Sequence, residues 1–245
     1  MIFDINTLFF ILILVISFFY SSVGHGGASG YIALLSIFSF SILEIRPTAL
    51  FLNIFVSGIS FIFYNRYSYF NWKLFYPFAI TSIPFSFIGG SIQIDLKIYK
   101  IILGVFLIIS IFRILLTNKN NNINIVDNSI NISLFIGALI GFFSGLIGIG
   151  GGIILSPLIL FLNWGNIKQA AAVSSLFIFL NSVSGFTGYI INDNSFPFDN
   201  LIILPFVIIG GALGAFYGSK KLSNIILSYF LAFVLFIASI KLLVY

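Results

Sequence analysis

The chain has 245 residues, of which 60% are hydrophobic and 7% charged, with a formal net charge of +5; its mean hydropathy is +1.18. A soluble domain carries about 25% charged residues because its surface faces water, and a disordered segment is poor in aromatics, whereas 18% of this chain is aromatic. Both classes are excluded, and the composition is that of an integral membrane protein.

A membrane-spanning helix needs about 20 apolar residues. In chain order, apolar runs predict membrane segments at 5–23, 28–43, 47–64, 74–92, 98–116, 132–147, 153–164, 169–191, 201–218 and 223–244. The first run follows Met1-Ile2-Phe3-Asp4, which has no basic region and no small-residue cleavage site, so it is read as part of the mature protein. An Asn-rich stretch at 117–131 divides the ten runs into five and five. The predicted organisation is a first transmembrane repeat at 1–116, a linker at 117–131 and a second repeat at 132–245.

Three matches in register support the duplication. Gly24-His25-Gly26-Gly27 answers Gly148-Ile149-Gly150-Gly151, Ile88-Gly89-Gly90 answers Ile209-Gly210-Gly211, and Ile101-Ile102-Leu103 answers Ile225-Ile226-Leu227. Within each half the first two runs are joined by glycines, and the second run is shorter than a spanning helix. Glycine-interrupted segments at matching positions in two halves are the best sequence pointer to a transporter binding site. Each half crosses an odd number of times whether the broken pair spans or re-enters, so the halves are expected to be inverted. The fold class is therefore all-α: a polytopic bundle of two inverted repeats with glycine-broken helices and 8–10 membrane segments.

The six acidic residues, Asp4, Glu44, Asp95, Asp127, Asp193 and Asp199, all sit at breaks between runs. Alternation places Arg66, Lys73, Arg113, Lys119, Lys168, Lys220 and Lys221 on one face and Arg46, Lys97, Lys100 and Lys241 on the other. The basic excess marks the cytoplasmic side, which puts both termini outside a bacterial-type plasma membrane. No basic stripe or module exists for nucleic acid. There is no cysteine, no P-loop and no H-E-x-x-H cluster, so no cofactor or metal site is expected.

The candidate site is built on the breaks. A helix restarting after Gly24, Gly26 and Gly27, or after Gly148, Gly150, Gly151 and Gly152, presents unpaired N–H groups and a positive dipole end. Close helix packing through small residues is the plain alternative. His25, the only histidine, is a candidate to hold an anion or a proton, or a neutral ring satisfied by a carbonyl. Thr48 and Asn53 lie on the third run, and Gln169, Ser174, Ser175 and Asn181 on its counterpart, as a substrate path or as interhelical hydrogen bonds. Arg46 and Lys168 stand at equivalent entries to these helices, where snorkelling to the interface is the commoner role.

The run Gly148-Ile149-Gly150-Gly151-Gly152, with Pro157 beyond it and the polar start of the following helix, resembles the sulfite exporter TauE/SafE family of membrane transporters. The first half departs from that pattern through His25, Ala28 and Ala33. The resemblance implies movement of small sulfur-containing anions, sulfite and organosulfonates, without ATP hydrolysis. It singles out Ser174 and Ser175 as a small polar pair near the break. Gly24, His25, Gly26, Gly27, Asn53, Gly148, Gly150, Gly151, Gly152, Ser174 and Ser175 are the candidate substrate-binding residues. Expected partners are the small anion, a coupling proton or sodium ion, the lipid bilayer and a second copy in a homodimer. Two other classes compete. Gly27-Ala28-Ser29-Gly30 with His25 matches a rhomboid-like intramembrane serine protease in four residues, and a structural membrane subunit needs no site at all.

Overall fold

The computed structural model describes residues 5–92, 108, 111–112, 125–192 and 196–244, and every regular element among them is a helix. In chain order these are α1 (Ile5–Ser22), α2 (Ala28–Ile37), α3 (Ile42–Arg66), α4 (Trp72–Ser91), α5 (Ile130–Ile147), α6 (Gly152–Phe161), α7 (Ile167–Ile191), α8 (Leu204–Phe216) and α9 (Asn224–Val244). A 3₁₀ turn at Phe198–Ile203 leads into α8 and a π turn at Tyr217–Lys221 follows it. The predicted run at 98–116 and the first part of the Asn-rich linker fall largely outside the described residues.

Polar residues mark the helix ends, and apolar ones fill the middles. Asn166 caps α7 by accepting from the Lys168 and Gln169 amides, while Gln169 accepts in return from the Asn166 amide. Among the described residues five stretches are long and apolar enough to cross a membrane: Glu44–Arg66, Trp72–Ser91, Ile130–Ile147, Ile167–Ile191 and Phe198–Lys221. The last joins α8 to its flanking turns. α1, α6 and the first part of α9 are shorter apolar helices.

The two glycine-joined pairs open at opposite ends of the bundle. α2 returns toward the start of α1, where Phe38 and Phe40 meet Phe9 at ring distances of 5.1 and 5.7 Å, and then leads into α3 at the Arg46 end. α6 returns toward the start of α5, where the Val126 amide donates to the Asn163 carbonyl at 2.9 Å, and leads into α7 at the Lys168 end.

Helices from the two halves of the sequence pack on each other through glycine ladders. Gly137, Gly141 and Gly145, one turn apart on α5, lie against Phe78, Ser82 and Ser86 of α4. Gly210, Gly214 and Gly218 lie against Leu14, Phe18 and Ser22 of α1. In lipid, where apolar burial gives helices no mutual attraction, small residues let backbones approach closely and hydroxyls bond across. Ser17 donates to the Val207 carbonyl at 2.7 Å, Ser21 to Gly211 at 2.6 Å, and Thr81 to Leu134 at 2.7 Å. A side chain at Gly141 would strike the Ser82 main chain, which cannot swing aside. Gly141→Val is therefore expected to lower stability by at least the ~1–3 kcal/mol of ordinary overpacking. Leu139→Val, at a position 45% exposed, should melt near the parent protein in detergent; equal melting of both variants would refute the ladder's role.

Candidate functional site

α1 stops at Ser22 because Gly24 and Gly27 take φ of +78° and +96°, and α5 stops because Gly148, Gly150 and Gly151 take +87°, +72° and +78°. Such values belong to glycine, which has no Cβ to clash. Two ten-residue helices restart after the breaks, α2 at Ala28 and α6 at Gly152. Each is about 15 Å long at 1.5 Å per residue, half the hydrocarbon thickness. Gly151 is the N-cap of α6 and offers no side chain to its first-turn amides, which no carbonyl within the helix can satisfy.

Asn53, near the middle of α3, stands between the two breaks. Its Oδ1 accepts the Ala28 amide at 3.3 Å, so it caps α2, and its Nδ2 donates to Ser182 Oγ on α7 at 2.9 Å. Side chains at Gly26 or Gly150 would collide with the Asn53 amide, one break on each side of it. The glycines are therefore needed both for their backbone angles and for this close approach.

His25 makes the second link. It lies in the first break, and its Nε2 is 2.9 Å from Ser156 Oγ on α6, which in turn donates to Ser174 Oγ on α7 at 2.7 Å. His25, Asn53, Ser156, Ser174 and Ser182 are at most 1% exposed. Of the remaining candidates, Gly24 packs on the Ala171 backbone, Gly27 beside the Tyr31 ring, Gly148 beside Arg46 and Leu50, and Gly152 beside Ile178 and Ser174. Ser175 turns onto its own helix, donating to the Ala172 carbonyl at 2.7 Å. Thr48 accepts from Asn200 at 2.9 Å near the bundle end, and Asn181 donates to Ser82 and to the Phe177 carbonyl.

One position differs from the sequence reading. Arg46 does not snorkel to the interface. It turns inward and donates to the carbonyls of Gly89, Gly90, Ile92 and Gly145 at 2.7–3.2 Å, because carbonyls at the C-terminal ends of α4 and α5 converge there, of which Gly89 also accepts the Ile92 amide. The i, i+4 spacing of His25 and Ser29 would give a shared face only on a continuous helix, and α2 begins at Ala28; Ser29 Oγ pairs with the Tyr20 hydroxyl at 2.8 Å. Ser156 and Ser182 join this buried polar cluster, and sequence reasoning missed both. The one signal for Ser156 was its position one turn into the helix after Gly152, just before Pro157.

Apolar spanning helices, broken in pairs at depth and joined there by buried polar side chains, make this a polytopic membrane transporter rather than an enzyme. The chain belongs to the sulfite exporter TauE/SafE family, whose match covers residues 9–242. It is 36% identical over 237 residues to "Probable membrane transporter protein y4hK" of Sinorhizobium fredii, covering 94% of each chain. It is 31% identical to "Probable membrane transporter protein MJ0441" of Methanocaldococcus jannaschii, over 58% of this chain and 54% of that one. With "Probable membrane transporter protein YunE" of Bacillus subtilis it shares 28% identity over 71% of each. No solved structure matches the chain significantly.

Proposed function

We propose that the chain is a secondary transporter of small anions, of the sulfite and organosulfonate class, which it binds between the two glycine breaks. The observation that carries this reading is the convergence of both breaks on Asn53. Amides around Gly26, Gly27, Gly150, Gly151 and Gly152 bind the anion at the starts of α2 and α6, where the helix dipoles favour negative charge. His25, Asn53 and Ser174 flank it. Ser175 contributes backbone packing only, its hydroxyl being engaged within α7.

Residues 1–116 and 132–245 act as inverted halves that rock about this site and expose it to each side in turn. A proton or sodium gradient drives the cycle. The excess of Lys and Arg on the Lys168 side orients the protein with that side in the cytoplasm and both termini outside, in a bacterial-type plasma membrane.

The test is isotope-labelled sulfite flux into proteoliposomes of the purified chain, with and without an imposed pH or sodium gradient. Gradient-sensitive uptake, competed by organosulfonates and absent from empty liposomes, is the expected result. A folded protein that moves neither sulfite nor sulfonates would refute the substrate class.

A further inference from the structure

His25 carries an asymmetry that fixes what its ring can do. Ser156 gives its single hydroxyl proton to Ser174 Oγ at 2.7 Å, so its oxygen must accept from His25 Nε2 at 2.9 Å. The neutral ring therefore holds its hydrogen on Nε2. The other nitrogen, Nδ1, is left as a bare lone pair, buried and without a hydrogen-bond partner, on a residue 1% exposed. A buried polar atom with no partner needs an explanation. A bare imidazole nitrogen is a proton acceptor, and here it lies in the break that begins α2.

From this geometry we infer that His25 Nδ1 is the coupling-proton site, and that the proton and the anion bind as a pair. This rests on the anion reading above and deepens it. The proton comes from hydronium in the bathing solution, which is left as water; it forms an N–H bond at Nδ1 and gives an imidazolium with two donors. Nε2–H stays on Ser156, and Nδ1–H goes to the anion held at the break. An unpaired imidazolium at membrane depth is costly, and so is an unpaired anion. Together they are neutral, so each raises the affinity of the other by the same factor.

Among the described residues the surroundings offer no competing charge. α1 brings Tyr20, with its ring 6.5 Å from His25 and its hydroxyl on Ser29; α2 brings Tyr31, bonded to Ser17; α3 brings Tyr64, bonded to the Ser22 carbonyl. The charged residues of α3, Glu44, Arg46 and Arg66, are confined to its two end regions. α6 contains no titratable residue and α7 has only Lys168 and Tyr189, six residues before and fifteen after Ser174. α9 carries Tyr229, 57% exposed, and Lys241 near its C-terminal end. Glu44, in the first turn of α3, is the one carboxylate among these described elements, and it lies nine residues before Asn53; the role of neutralising an imidazolium is left to the substrate.

A single histidine makes the test unambiguous. The full chain, purified on a tag without histidine and labelled with ¹⁵N-histidine, is reconstituted in lipid and its ring nitrogens observed by NMR. Methanesulfonate is the probe, because it has no titratable proton near neutral pH, and its binding is measured calorimetrically on the same sample. One protonated and one bare nitrogen are expected without anion, and two protonated nitrogens with it. Affinity should also fall about tenfold per pH unit above neutrality, the linkage for one proton taken up per anion. A ring already doubly protonated without anion, or unchanged while methanesulfonate binds, overturns this inference alone. A folded protein that binds neither methanesulfonate nor sulfite overturns it together with the anion reading.

Discussion

Replacing Gly151 with leucine is expected to reduce anion flux to the level of empty liposomes while the protein still inserts and purifies. Gly151 has φ of +78°, where an L-residue costs roughly 1–2 kcal/mol. A Cβ there would stand 2.7 Å from Ile140 Cγ2 and 2.9 Å from Phe177 Cε1. Both neighbours are buried side chains and not main chain, so they must repack to make room, and overpacking adds about 1–3 kcal/mol. The total is tolerable for a helical bundle of this size. It is not tolerable for an anion site built from the first amides of α6, since the N-cap itself must move. Gly151→Ala, with the same strain and less bulk, should retain partial flux. Undiminished flux through a folded Gly151→Leu protein would remove the second break from the binding site.

Arg46→Met should give the largest loss of stability of any single charge removal. One guanidinium satisfies four carbonyls, from the ends of α4 and α5, and rests 5.5 Å from the Tyr189 ring of α7. Removing the guanidinium leaves buried carbonyls unpaired, at about 1–3 kcal/mol for each that water cannot reach, and the partial exposure of Arg46 keeps the expected loss at about 3 kcal/mol in all. Arg46→Lys should fall between, because an ammonium cannot fork to several carbonyls at once. Thermal unfolding in detergent reads the difference. Parent-like melting of Arg46→Met would show the contacts to be incidental.

The architecture was largely legible because membranes impose it. Residues 28–43 and 153–164 were too short to span, and they became the ten-residue helices α2 and α6. Both glycine runs became breaks because Gly24, Gly27, Gly148, Gly150 and Gly151 take positive φ, a region open to glycine, and the polar groups that meet the freed backbone are brought by the fold. What those would be was only half visible. Asn53 could be picked out as a polar side chain on an apolar helix, but its position between the two breaks depends on how α3 crosses both pairs. Ser156 joins His25 across 131 residues, a distance over which no local pattern carries information. Arg46 misled for a related reason. Near a helix start the interface is the nearest relief for a charge, unless unpaired helix ends from elsewhere in the chain arrive first. The four-residue glycine spacing of α5 and α8 was present in the sequence but does not announce its partner.

The ladder between α1 and α8 bears on how the protein is made. Ser17 and Ser21 find their acceptors on Val207 and Gly211, in each case 190 residues later. At ~5–20 residues per second, a ribosome needs roughly 10–40 s to cover that distance. Throughout that interval the first helix sits in the bilayer with its small polar face uncovered, and a wrong neighbour could claim it. α1 thus waits about 190 residues of synthesis for the partner that covers its polar face. Biogenesis of this transporter depends on shielding that face until α8 arrives.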